Sequence, residues 1–159
     1  MTKRINVVEK GMPAMLSMAG MGKYLAKSQV ERSLLELIYY RVSQINGCAY
    51  CLDMHTKDLR DMGETEQRLY VLPAWREAPF YSDRERAALA WAEALTKLTG
   101  SIVADEIYLT ATKQFSEEEL IDLTLAVITI NSYNRINLAF PNVAAVGTYK
   151  PGVHAVQTN

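Results

Sequence analysis

No apolar run in this 159-residue chain reaches the ~18 residues that a membrane span requires. The basic start Thr2-Lys3-Arg4 is not followed by an apolar segment with a cleavage site, so no secretory leader is expected. The formal net charge is −1 and the lysines and arginines form no cluster, which argues against a nucleic-acid partner. Motifs for a flavin, a haem or a nucleotide are missing, so neither a bound cofactor nor an internal electron source is expected. Strand-like alternation is nearly absent. Cysteine is limited to two residues, so close in sequence that a bridge between them constrains little of the unfolded chain and serves function rather than stability. The expectation is a soluble cytoplasmic protein, where a thiol pair cycles rather than staying oxidised.

What remains is helical periodicity, and it fits one all-α domain over residues 1–159. Met12, Met15, Leu16, Ala19 and Leu25 give an apolar face to a first helix starting at Pro13. Met18 and Met21 extend a methionine stripe suited to flexible core or subunit packing. A second helix runs from Val30 to Gln44 and stops at Asn46-Gly47. A third starts near Cys48 and continues to Met62, antiparallel to the second, with Gly63 as its stop. Glu64 to Leu72 reads as a short helix closed by Pro73. Ser82-Asp83-Arg84-Glu85 and Ser116-Glu117-Glu118-Glu119 are capping boxes, the second opening the longest apolar helix. Between these two helices, Asp105 starts a segment ending near Gln114. Trp75 and Trp91 read as packing anchors. Residues 141–159, rich in Gly, Pro, Val and Ala, read as an irregular tail or oligomer arm.

Reactive chemistry is concentrated between Asn46 and His55, which holds both cysteines and one of the two histidines. On a helix beginning near Cys48, positions 48, 51 and 55 share one face. Cys48 is nearest the helix start and feels its dipole most, which favours its thiolate. Cys51 is one turn from His55, which favours Cys51 instead. The two arguments conflict and leave the order of the sulfurs open. Glu36 sits in an apolar run, Leu34-Leu35-Glu36-Leu37-Ile38, and a carboxylate there calls for a partner. With Gly47 as the corner between the two helices, Glu36 lies roughly 16 Å and His55 roughly 12 Å along the axes, so the side chains come nearly side by side. A Glu36–His55 pair orients the imidazole and makes it a proton acceptor for Cys51.

Other readings stand beside this one. The cysteines can be an inert buried pair, or zinc ligands with His55 and His154, the only other Cys or His. Glu36 can be a surface carboxylate paired with Tyr40 or a neighbouring charge. A thioredoxin-like fold needs a βαβ pattern that is missing. Asn131, Asn134 and Asn137 recur every three residues and either line the site or a subunit seam, or make capping and interhelical bonds. Tyr39 and Tyr40 wall a channel or pack the core, and His154 reads as solvated.

Glu36, Cys48-Ala49-Tyr50-Cys51 and His55 together resemble the Glu…Cys-x-x-Cys-x-x-x-His signature of AhpD-like alkylhydroperoxidases, within the carboxymuconolactone decarboxylase superfamily. The resemblance implies an all-helical fold, a homo-oligomer (trimer or hexamer) and reduction of hydroperoxides. It makes Cys51 the peroxidatic thiol, Cys48 the resolving thiol that closes a Cys48–Cys51 disulfide, and Glu36 and His55 the proton relay. It implies no metal and no cofactor, but an external dithiol reductant of lipoyl or thioredoxin type. The alternatives are a disulfide reductase or adaptor feeding a peroxiredoxin, and a non-catalytic oligomer whose thiols sense oxidation. The decarboxylases generally lack the cysteine pair, so lactone decarboxylation is the weaker analogy. The AhpD enzymes carry a histidine where this chain has Tyr50, which removes one candidate base or donor.

Overall fold

The structure is a computed structural model that describes residues 2, 4–141 and 145–151. Among these residues there is no strand, and seven α-helices form in the expected order. They are α1 (Val7–Leu25), α2 (Arg32–Asn46), α3 (Ala49–Asp61), α4 (Glu66–Val71), α5 (Asp83–Lys97), α6 (Asp105–Thr112) and α7 (Glu117–Ala139). A 3-10 turn, Leu72–Ala74, follows α4 directly. Among the described residues no helix is long and apolar enough to cross a membrane.

α2 is the hub, packed against α3, α5 and α7, while α1 lies on α7 and α6 spans α5 and α7. Leu34, Leu35, Leu37, Ile38 and Val42 are all buried, an apolar surface too broad for one neighbour and matched to several. Burial of each such side chain stabilises the fold by roughly 1.5–3 kcal/mol. Both capping boxes form, at Ser82 for α5 and at Ser116 for α7. Trp75 and Trp91 are buried as anchors, and each also donates its indole N–H, to Glu93 and Thr124 respectively.

Glu93 is the polar knot of the core. Trp75 Nε1 and Arg41 Nε donate to its Oε1 at 2.9 Å, and Arg76 Nη1 to its Oε2 at 2.9 Å. Burial pushes this carboxyl up, but the bonds from Trp75, Arg41 and Arg76 outweigh it and hold the pKa at about 2. Arg41 thereby ties α2 to α5 and to the segment after α4.

The structure corrects two local expectations and divides a third. α1 is capped by Asn6, whose side chain accepts from Val8 N–H and Glu9 N–H, not started at Pro13. The helix breaks at Gly11 (φ −123°, ψ 19°) and restarts, so Pro13 still occupies the first turn of its segment. The methionine stripe divides: Met21 packs against the core, Met15 and Met18 are half-buried, and Met12 is exposed with Leu16, while Leu25 is the fully buried residue of α1. Pro73 lies inside the 3-10 turn rather than closing α4, because a proline tolerates the first positions of such a turn.

Candidate redox site

The site is built on the corner between α2 and α3. α2 ends in the left-handed residue Gly47 (φ 70°), a conformation that costs a side-chain-bearing residue but not glycine. The turn places Cys48 as the N-cap of α3, its N–H bonded to Ser43 O at 3.1 Å. Cys48 Sγ accepts from Cys51 N–H at 3.4 Å, so the sulfur fills the place a serine oxygen takes in most caps. The two sulfurs are 2.05 Å apart and bonded. A sulfur joined to another has no thiolate to offer a metal. Both cysteines are 1% exposed.

Glu36, Tyr39 and Ser43 recur at i, i+3 and i+7 on α2, and each meets α3. Glu36 Oε2 lies 2.7 Å from His55 Nδ1, as the axial-rise estimate expected, rather than pairing with Tyr40. A carboxylate facing Nδ1 holds the proton on that nitrogen and leaves Nε2 as the acceptor. His55 is 5% exposed, and its Nε2 is buried with no hydrogen-bond partner among the described residues. The Tyr39 ring lies 5.3 Å from the imidazole, and burial, then the Glu36 charge, push its hydroxyl far above the usual tyrosine range. Tyr39 therefore acts as a protonated wall.

Asn46 Nδ2 donates to Asn131 Oδ1 and to Asn134 Oδ1, both at 2.9 Å. Asn134, fully buried, donates in turn to Ser43 Oγ. These bonds fasten α7 to the end of α2. One turn further along, Asn137 Nδ2 reaches Cys51 Sγ at 3.3 Å. The asparagine triplet thus divides, two members making interhelical bonds and the third touching the sulfur.

Two residues at the site were not singled out from sequence. Asp58 is three residues beyond His55, a same-face spacing that would have flagged it. Burial pushes its carboxyl up, the Tyr149 bond opposes this, and Glu36 adds to it. Tyr149 donates to Asp58 Oδ1 at 2.6 Å, Lys57 Nζ to Tyr149 O at 3.1 Å, and Gly147 N–H to Asp53 Oδ2 at 3.0 Å. The described part of the tail is irregular in backbone yet anchored on α3, and Tyr149 is buried. No local pattern in residues 145–151 marks that return. His154 lies outside the described residues. Glu36, His55 and Asp58 present ligand atoms within 4.8 Å of one another, a donor set able to hold a cation, but each already has a protein partner. Tyr50 is partly buried; burial first, then Asp53, push its hydroxyl up, so it is no base at neutral pH.

Residues 12–94 match the Carboxymuconolactone decarboxylase family. The chain is similar to YdfG, an uncharacterised protein of Bacillus subtilis, at 47% identity over 145 residues, 91% of this chain and 99% of YdfG. A shorter match, 42% identical over 62 residues, joins 39% of this chain to 33% of the alkyl hydroperoxide reductase AhpD of Methylocella silvestris. Among solved structures, ATU0492 of Agrobacterium tumefaciens superposes with a TM-score of 0.85 at 36% identity, covering 91% of this chain and 99% of that one. ATU0492 is a protein of unknown function whose description carries the name AhpD.

Proposed function

The chain belongs to the carboxymuconolactone decarboxylase family, and on that footing we propose that it reduces alkyl hydroperoxides through a Cys48–Cys51 dithiol/disulfide cycle. A fold of this kind hosts more than one chemistry, so the reading rests on the site. The observation that carries it is the Glu36–His55 contact of 2.7 Å, which leaves a buried imidazole nitrogen as base on the helix face of the cysteine pair. An inert buried pair has no use for that arrangement.

In the reduced protein, His55 Nε2 takes the Cys51 proton, and the thiolate attacks the peroxide O–O bond. The S–O bond forms, the O–O bond breaks, and the leaving alkoxide takes the proton held on His55 to depart as the alcohol. Cys48 then attacks the sulfenic acid, releasing water and closing the disulfide. The peroxide gains two electrons and the thiol pair loses two. An external dithiol of lipoyl or thioredoxin type restores them by disulfide exchange. Passing electrons to a peroxiredoxin is the variant in which the same pair reduces a protein rather than a peroxide. The exposed Met12 and Leu16 of α1 and Ile121 and Ile128 of α7 support assembly into a homo-oligomer, a trimer or hexamer by family analogy. A cycling pair suits the cytoplasm.

Stopped-flow oxidation of the reduced protein by cumene hydroperoxide tests the reading, together with turnover on dihydrolipoamide. Wild type is expected to react far faster than a free thiol, Cys51→Ser to lose activity, and Glu36→Gln to lower it and shift its pH optimum. A wild-type rate no faster than a free thiol's, or equal turnover in all three proteins, overturns it.

A further inference from the structure

We propose that Asn137 is a catalytic residue of this site: its side-chain amide donates to Cys51 Sγ and stabilises that sulfur as the thiolate, making Cys51 rather than Cys48 the attacking atom. The inference rests on the thiol chemistry proposed above but not on the identity of the substrate. A disulfide sulfur has no proton to give, so the amide that meets it at 3.3 Å faces it with its N–H. Toward a neutral disulfide sulfur this bond is weak. Once the pair is reduced, the same N–H faces a charged acceptor, and a hydrogen bond to an ion is roughly twice as strong as one between neutral groups. The bond therefore strengthens selectively in the form that attacks.

Among the described residues each sulfur has one N–H donor: Cys48 Sγ has the backbone of Cys51 at 3.4 Å, and Cys51 Sγ has Asn137. The sulfurs differ in what else they have. Cys51 is one turn from His55 along α3 and Cys48 nearly two, so Cys51 combines its donor with the nearer base. The donor is also held in place. Asn131 and Asn134, on the same stretch of α7, are bonded to Asn46, so α7 cannot slide along α2 without breaking them. The titratable and charged groups around Cys51 include Cys48, Tyr50, Asp53 and His55 on α3, Glu36 and Tyr39 on α2 and, beyond them, Asp58 on α3. The charge on this part of α7 is Arg135, which is exposed and bonded to Asn131. Asn137 itself does not titrate, so its effect is present at every pH.

The test is the pH profile of iodoacetamide alkylation of the reduced protein. Cys51 is followed in a Cys48→Ser background and Cys48 in a Cys51→Ser background, and mass spectrometry maps the adducts. Cys51 is expected to be the lower-titrating thiol. Asn137→Ala should raise its midpoint by about one pH unit, roughly a tenfold loss of thiolate below the midpoint. Asn137→Asp, of similar size but with an acceptor in place of the donor, should raise it further. The Cys48 midpoint should move much less in either variant. Circular dichroism establishes that the variants are folded, and Asn137→Asp keeps the test open should Asn137→Ala be unstable. An unchanged Cys51 midpoint, or a wild-type protein in which Cys48 titrates lower, overturns the proposal. Because alkylation needs no peroxide, a shifted midpoint in a protein inert to hydroperoxides retains the role of Asn137 and rejects only the peroxidase reading.

Discussion

Replacing Glu93 by Gln removes the charge at the centre of the α2–α5 junction while keeping its shape. The carboxyl is 4% exposed at the residue level and is held at about 2 against an ordinary value of 4.5. At 1.36 kcal/mol per pH unit, that difference is about 3 kcal/mol of folding free energy at neutral pH. The same figure follows from the other side of the contact. Arg41, with a side chain 11% exposed, would keep its charge and lose the carboxylate that compensates it, a loss of about 3–5 kcal/mol for a buried pair. For a domain of this size, 3 kcal/mol lowers Tm by about 6–12 °C. The folded pKa is depressed, so the stabilisation is complete above about 4.5 and disappears as the pH falls through the window down to about 2. Thermal unfolding by circular dichroism, run for both proteins from neutral pH downward, should show two curves far apart that converge below about 4.5. A loss under about 2 °C at neutral pH, or a gap that does not narrow on acidification, would refute the assignment of Glu93 as a paired buried carboxylate. Arg41 lies on α2 only five residues beyond Glu36, so a loosened junction should also slow peroxide reduction.

Gly47→Ala should cost about 1–2 kcal/mol and lower Tm by a few degrees, from backbone conformation alone, because an added Cβ meets nothing within 4 Å at φ +70°. An unchanged Tm would show that the corner adopts another conformation. Tyr149→Phe removes the bond that opposes the raised Asp58 pKa and should destabilise by about 1 kcal/mol at neutral pH. For an acid raised above its unfolded value, stability falls as pH rises through the unfolded pKa of 3.8 to the folded one. The Tyr149→Phe deficit should therefore be larger at neutral pH than well below 3.8, and a pH-independent deficit in urea unfolding would contradict the Tyr149–Asp58 pairing.

Much of the fold was legible because its signals are local. Ser82 and Ser116 with their glutamates, the Asn46-Gly47 stop and the apolar face of α2 each act within a few residues, and each formed as expected. The pairing of Glu36 with His55 was also within reach, since two antiparallel helices with a known corner leave only the axial rise to count. The start of α1 was misplaced because Asn6 and Pro13 are both good starts, and the sequence holds two helical segments joined at Gly11. The methionine stripe was legible as apolar, but burial depends on what packs against it, and the neighbouring helix covers only part of it.

By itself, then, the sequence determined the helices and the local group Glu36, Cys48, Cys51 and His55, because a helix repeats every 3.6 residues and one tight turn joins the two segments. Only the tertiary structure decided what reaches that group from afar. Asn137 is 86 residues from Cys51 and Tyr149 is 91 from Asp58, and no periodicity relates positions so separated. Their contacts follow from how α7 and the chain beyond it dock on the α2–α3 pair, which is fixed by the fit of side chains across helices. Whether a sulfur is held by an amide, and whether a buried carboxylate is charged, belongs to that packing.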